Sequence, residues 1–362
     1  RDPPDPSRPF AYPIPGGATV CVEIAQQTRA VLLKNGALRR EFLGTQPLGA
    51  LGALRHHALR TWPGLLAAWT EANVFLDRLR ARFSPNPEDV LYSFWLNPIA
   101  AVAAKRRIFG TVAARAHGYD LYWERWGGSP PPFQTLAMDS AAVFPCSLHG
   151  EAYLRAKYPG KRIRAEYLGV ERRERLARSS DDGVFRIVTC ANLIPLKRID
   201  RLVSTLKRVK RACHWTHVGS GPMEAEIRNA AATLPQNVGV AFLGQIGNDD
   251  VHRFYETEPV DLFLNLSTTE GISVALMEAM SHGIPCLATA VGGTPELLDG
   301  RDLLEADFTD EALALRIDEW TEPSSREAIR DRQRERFDAR TNFTRFAREL
   351  RALSDREKPF VR

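Results

Sequence analysis

VDLFLNL (260–266) and TEGISVALMEAMSHGIPCLATAVGGTPE (269–296), parted only by Ser267 and Thr268, carry the reading of the fold. The first run is apolar from end to end, as a strand buried on both faces of a parallel sheet must be. Glu270-Gly271-Ile272-Ser273 follows as a turn, and residues 274–282 then space their apolar side chains as a helix does. Gly283 and Pro285 form a helix stop signal, and residues 285–291 read as the next strand. The product is a β-α-β unit with a glycine turn at the carboxyl end of its strand, where open α/β sheets hold ligands. The amides of Gly271, Ile272 and Ser273 would face out of a helix N-terminus, a ready anion site. Glu270 comes just before that site and Glu278 about two turns into the helix, both on its ligand side. Carboxylates beside a phosphate cradle suit sugar hydroxyls, which are neutral and donate hydrogen bonds. This arrangement is expected to hold a nucleotide-sugar, with Glu278 on the ribose and Glu270 on the transferred sugar.

The same alternation extends outward in both directions. Strands are expected at 184–191, 212–218, 238–242, 260–266 and 285–291, each followed by a helix. In the first half, strand-like runs recur at 90–96, 111–116 and 141–147, preceded by one or two amphipathic helices over 62–83. Helical character at 21–33 and a proline-rich arm over 1–18 complete the N-terminal side. Residues 172–183 are charged, lack apolar periodicity and contain Ser-Ser-Asp-Asp-Gly, so they read as the domain linker. The tail from 326 to 354 reads as helix.

Composition limits the classes available. A chain of 362 residues has room for two ordinary domains, and 44% hydrophobic with 26% charged residues is the balance of a globular protein. No apolar run approaches a membrane span and no signal peptide is visible; the sequence opens on Arg1 without a Met, which leaves room for a missing N-terminal piece. Cys21, Cys146, Cys190, Cys213 and Cys286 are scattered, several within strand-like runs, so buried free thiols in a reducing compartment are expected. The net charge of +5 admits two readings: a basic face resting on an anionic inner leaflet, or solvated arginine-rich helix faces. No nucleic-acid-binding motif accompanies the charge, so no nucleic-acid partner is expected.

The segment around Glu270 and Glu278 resembles the E-x7-E signature of the retaining family-4 glycosyltransferases. The resemblance extends to FRIVTCANLIPLKRIDRLVSTL (185–206), HWTHVGSGPMEAEIRNAA (214–231), VAFLGQIGNDDVHRFYE (240–256) and GGTPELL (292–298), in the family's order. VLYSFWLNP (90–98), VAARAHGYDLY (112–122) and VFPCSLHGEAYLRAKYP (143–159) are similar to its bacterial polysaccharide-assembly branch. The resemblance covers roughly residues 85–355. It implies an α/β architecture of GT-B type: two facing Rossmann-like domains with a C-terminal helix crossing back to the N-terminal domain. Residues 1–175 would be the acceptor-side domain and 184–325 the nucleotide-sugar domain. Residues 326–362 would pack back on the N-terminal domain.

Site roles follow from the same resemblance. Lys197 matches the lysine that clamps the donor phosphates, where a cation offsets charge growing on the leaving diphosphate. The family's arginine is replaced here by Asn192, with Arg198 or Asn192 itself as the compensating contact. His117 matches the histidine that meets the donor sugar or its phosphate from the N-terminal side, so His117 and Lys197 are expected to serve one donor site. Asp120 is a lesser candidate for the acceptor, and His149 reads as structural or at most as an acceptor-site residue. Gly16-Gly17 resembles the glycine loop that approaches the phosphate. Gly219 and Ile246 are expected beside the nucleotide. The activity implied is retaining, metal-independent hexosyl transfer from a UDP- or GDP-sugar, a substrate and not a bound cofactor, to a glycan or lipid-linked glycan. Metal independence agrees with the absence of any Asp-x-Asp pair in the chain. The setting expected is cytoplasmic, with peripheral contact at the inner face of the membrane. A GT-B nucleotide-sugar epimerase and a non-catalytic GT-B subunit are the alternatives.

Overall fold

In a computed structural model of the chain, the described residues are 62–356 without Pro87 and Pro323. The readings that fall on Gly16, Gly17, Cys21, the proline-rich arm and the helix at 21–33 lie outside them. The chain divides into two compact units. One comprises residues 167–342, and the other, among the described residues, 62–166 and 343–356.

The N-terminal unit runs α1 (Trp62–Phe83), β1 (Val90–Ser93), α2 (Pro98–Arg106), β2 (Thr111–Ala116), α3 (Gly118–Leu121), α4 (Gln134–Ala137), β3 (Ala142–Pro145) and α5 (Leu148–Lys157). Its strands form a parallel sheet in the order β1-β2-β3. Strand β2, TVAARA, is buried at every position, as a central parallel strand should be. Val112, Ala114 and Ala116 face a core built with Trp69, Leu76, Val102 and Phe133, where the alanines of α2 permit close packing. Ala113 faces the other way, into a cluster with Ala142, Phe144, Phe346 and Leu353. Arg115, two residues on and almost fully buried, sets its guanidinium 4.4 Å from the Phe346 ring. Its nitrogens have no hydrogen-bond acceptor among the described residues. Strand β1 stops at Ser93, short of the expected Leu96. The reason is Asn97, whose side chain accepts from the amides of Ile99 and Ala100 and caps α2 ahead of Pro98.

The C-terminal unit contains β4 (Phe185–Cys190), α6 (Ile199–Leu206), β5 (Cys213–Val218), α7 (Glu224–Ala231), β6 (Val238–Gly244), α8 (Asn248–Thr257), β7 (Leu262–Asn265), α9 (Val274–Ser281), β8 (Cys286–Thr289), β9 (Leu303–Leu304) and α10 (Asp310–Asp318). All six strands are parallel in the order β6-β5-β4-β7-β8-β9, a doubly wound sheet whose direction of winding reverses between β4 and β7. Helix α9 ends at the expected stop. Gly283 has φ +70°, and a Cβ there would strike the backbone of Arg326, the first residue of α11 (Arg326–Phe337).

Residues 172–183, expected as a linker, are instead tied to this unit. The Ala177 amide donates to His282 O at 2.9 Å, and Ser180 donates to both oxygens of Asp261 at 2.8 and 2.6 Å. The boundaries accordingly fall between 166 and 167 and between 342 and 343. Helix α11 belongs to the C-terminal unit, whereas α12 (Ala339–Arg356) passes into the other unit from Phe343 on. Cys190, Cys213 and Cys286 are free thiols.

Helices α8 and α9 are joined by a buried histidine pair. His282 Nδ1–H donates to Arg175 O at 3.0 Å, which leaves Nε2 to accept from His252 Nδ1–H, also at 3.0 Å. Burial, reinforced by the Arg173 and His282 charges, lowers the His252 pKa to about 4; burial lowers that of His282 as well. The unfolded chain therefore binds more protons than the folded one between about pH 4 and 6.5. Stability from the neutral pair is complete above about pH 6.5 and is lost as pH falls through about 4. The variant His252→Gln, uncharged at every pH, is expected to lose less of its urea midpoint over this interval than the unaltered protein. Equal slopes would show that the pair titrates as it does in water.

Candidate active site

The reversal between β4 and β7 sets the loop after each strand beside the other. The first ends in a 3-10 turn, Pro195–Lys197, and Thr268 of the second donates its amide to Leu196 O at 2.9 Å. Arg198, on the first loop, adopts φ 50° and ties it to the second through its guanidinium. It donates to Leu266 O at 2.5 Å, Ser267 O at 3.2 Å and Ala306 O at 2.7 Å, and lies 5.0 Å from the Phe308 ring. Expected as a phosphate contact, Arg198 is committed to backbone carbonyls.

Lys197 projects from the clamped loop onto Glu270, with Nζ 2.6 Å from Oε1. The same oxygen accepts from Ser267 Oγ at 2.7 Å and Asn265 Nδ2 at 3.3 Å. Glu270 is buried and Lys197 half-buried, so the pair lies in a setting where charge is screened weakly. Asn192, at the position of the family arginine, has an exposed side chain.

Gly271, Ile272 and Ser273 lead into α9, and their amides have no backbone acceptor among the described residues. Ser273 caps the helix: its Oγ accepts from the Leu276 amide at 3.4 Å and from Asn265 Nδ2 at 2.8 Å. Farther along α9, Glu278 Oε1 accepts from Asn248 Nδ2 at 2.7 Å. Burial raises the Glu278 pKa, with the Asn248 bond and the Arg173 charge acting against it.

The Gly219-Ser220-Gly221 turn has a reason in packing. Gly219 has φ +130°, and a Cβ on it would overlap Ala191 O; one on Gly221 would lie 2.5 Å from Leu193 O. The two glycines let the loops after β4 and β5 lie against each other. Behind them, buried Trp215 donates Nε1–H to Thr189 Oγ1 at 2.9 Å, and that hydroxyl bonds His217 Nδ1 at 2.8 Å. Burial lowers the His217 pKa to about 4. Ile246 is half-buried, and Gln245 accepts from Ser220 Oγ at 3.4 Å.

In the N-terminal unit His117 follows β2. Its Nε2 lies 2.9 Å from Phe94 O, and its amide donates to Asp120 Oδ1 at 2.6 Å. Burial, followed by the Arg115 charge, lowers the His117 pKa to about 4. Asp120 also accepts the Leu96 amide at 2.6 Å, and burial raises its pKa to about 7. It is therefore a backbone anchor and not an open acceptor contact. His149 Nδ1 bonds Tyr122 OH at 2.9 Å.

Lys197, Glu270 and the 271–273 turn come together at the sheet reversal, and Glu278 lies farther along α9. Asn248 and Asn265 were missed from sequence. Each is an asparagine adjoining a β-α connection, too common a signal to stand out. Among the described residues no group of three His, Cys, Asp or Glu side chains is arranged to hold a metal ion, and no helix is long and apolar enough to cross a membrane.

Residues 171–336 match the family described as Glycosyl transferases group 1. WcaL of Salmonella typhimurium, named as a colanic acid biosynthesis glycosyltransferase, is 27% identical over 361 residues, covering 91% of this chain and 89% of WcaL. Among solved structures, the apo form of lipopolysaccharide outer core galactosyltransferase WaaB superposes with a TM-score of 0.63 at 17% identity, over 78% of this chain and 80% of that one. Anabaena Alr3699/HepE in complex with UDP-glucose gives a TM-score of 0.58 at 19% identity, over 73% of this chain and 79% of HepE. Residues 171–336 thus match the glycosyl transferases group 1 family over a little under half of the chain, and the chain is a glycosyltransferase with the GT-B fold.

Proposed function

We propose that this glycosyltransferase acts in polysaccharide biosynthesis. It would move a hexose, with retention and without a metal, from a UDP- or GDP-sugar to a hydroxyl of a glycan or lipid-linked glycan. The observation that carries the reading is the Lys197–Glu270 pair at the sheet reversal, beside the unengaged amides of Gly271, Ile272 and Ser273. Support also comes from WcaL, named for colanic acid biosynthesis, and from HepE, solved with UDP-glucose.

In this mechanism the diphosphate lies against the 271–273 amides, and Lys197 offsets the charge that grows as it leaves. Glu270 serves Lys197 in the empty site, because a half-buried ammonium without a counter-ion would be costly. With donor present, Lys197 turns to phosphate and Glu270 takes the hydroxyls of the sugar. Glu278, steadied by Asn248, accepts from the ribose. The sugar passes through an oxocarbenium-like state, and the acceptor hydroxyl attacks from the face that the diphosphate vacates. The departing phosphate takes the proton. Of Lys197 and Arg198, Lys197 is the one left for phosphate, since Arg198 holds carbonyls.

The setting we propose is cytoplasmic, with the N-terminal unit resting on an anionic inner leaflet. Arg78, Arg80, Arg82, Lys105 and Arg107 are exposed near the ends of α1 and α2, with Phe83 beside them in sequence.

Three outcomes test the reading. Glu278→Ala is expected to weaken UDP- or GDP-sugar binding by roughly 1.5–3 kcal/mol, as calorimetry would register; unchanged affinity in a folded variant removes Glu278 from the site. Glu270→Ala should bind free nucleoside diphosphate at least as well as the unaltered protein, because Lys197 is released. Its turnover should nevertheless collapse with the sugar misplaced, and normal turnover would dismiss the assignment. Transfer should persist in EDTA; a loss restored by magnesium or manganese would refute the metal-free mechanism.

A further inference from the structure

We propose that Ser267 and Asn265 are positioning residues for the exchange of Lys197 between Glu270 and the donor diphosphate. Their neutral hydrogen bonds hold the Glu270 carboxylate in place when the lysine leaves it. The proposal rests on the glycosyltransferase reading above and adds two residues to its donor side.

The exchange is costly without such support. Glu270 is only 7% exposed, and Lys197 Nζ meets its Oε1 at 2.6 Å. An ammonium that turns to phosphate leaves behind a carboxylate in a setting where an uncompensated charge is expensive. The sugar of a complete donor brings hydroxyls to that carboxylate, but a free nucleoside diphosphate brings no such sugar. Donors built into the loop serve in either case.

Ser267 and Asn265 supply them. Ser267 Oγ donates to Glu270 Oε1 at 2.7 Å and Asn265 Nδ2 at 3.3 Å, so both meet the oxygen that Lys197 holds. The serine is fixed on every side. It is fully buried, and its carbonyl accepts from Thr289 Oγ1 at 2.6 Å and from Arg198 Nη2 at 3.2 Å. Its amide donates to Asn265 Oδ1 at 3.1 Å. That bond also orients the asparagine, because a backbone N–H needs the oxygen of the side-chain amide and not its nitrogen. Nδ2 therefore faces Glu270 and, at 2.8 Å, the Oγ of Ser273 that caps α9. One side chain thus ties the carboxylate to the turn whose amides would meet the diphosphate.

These bonds count unequally in the two states. While Lys197 is paired, its charge-assisted bond is the strongest support of the carboxylate. Once the lysine has left, the neutral donors carry a larger share. Removing one of them destabilises the diphosphate-bound state more than the empty one, and Lys197 is held back from phosphate. Ser267 therefore acts on nucleotide affinity through Glu270 and not by touching the nucleotide.

The test is calorimetry of UDP and GDP with the full chain, arranged as a double-mutant cycle. Ser267→Ala should weaken binding of whichever diphosphate the unaltered protein takes by about tenfold, the loss of one hydrogen bond to a charged group. In a Glu270→Ala background, where Lys197 is already released, the same substitution should change affinity by less than about twofold. Ser267→Cys, which keeps a weak donor, should fall between serine and alanine. The proposal is overturned, with the donor site left standing, if Ser267→Ala binds as tightly as the unaltered protein. An equal loss in both backgrounds also overturns it, by showing that Ser267 shapes the turn and not the carboxylate. So does loss of diphosphate binding in Glu270→Ala alone, since Glu270 would then not be what Lys197 must leave. If the unaltered protein binds neither UDP nor GDP, the donor site itself is refuted and the exchange with it.

Discussion

The ion pair between Lys197 and Glu270 depends on a reversal in the order of a parallel sheet. Strands β4 and β7 are neighbours in space but lie over seventy residues apart in sequence, so their two loops meet only because the winding changes direction there. A cation from one loop and an anion from the other then neutralise each other in a half-buried setting. Neither charge would be tolerated in that place alone. The amides of the 271–273 turn and the capped start of α9 are positioned by the same loop that delivers Glu270.

Much of the surrounding structure keeps those loops from drifting. Arg198 ties three carbonyls together, and the Thr268 amide adds a fourth link. Gly219 and Gly221 let the neighbouring loop close against the first without a side chain between them. Each device acts on backbone groups, which fits a site whose anion would be held largely by amides. The N-terminal unit uses the same economy of means after β1, where Phe94 and Leu96 are fastened to His117 and Asp120, Trp95 to Ser93, and Asn97 to the start of α2.

The alternation of strands and helices was legible because buried parallel strands leave continuous apolar runs and β-α turns leave glycines. Glu270 and Lys197 were legible because charged residues at the ends of such runs have few structural uses. Arg198 was not, since a sequence does not distinguish an arginine that meets phosphate from one that meets carbonyls. Nor was the division of the chain. Residues 172–183 are charged like a linker, but Ser180 and Ala177 find partners on elements that come far later in sequence. Strand β1 was read three residues too long because Phe94, Trp95 and Leu96 continue an apolar run that hydrogen bonding does not.

The sheet of the N-terminal unit also has a timetable. One of its faces, with Ala113, Ala142 and Phe144, is covered by Phe346 and Leu353, and the buried Arg115 lies under the Phe346 ring. Those covering residues follow the C-terminal unit in the chain, so the ribosome adds them after it. The C-terminal unit, continuous from 167 to 342, emerges whole before them. The sheet of the N-terminal unit is therefore made before the C-terminal unit and finished after it, and it waits with an apolar face uncovered in between. A pause or a premature stop late in synthesis would leave that face open to aggregation or to a chaperone.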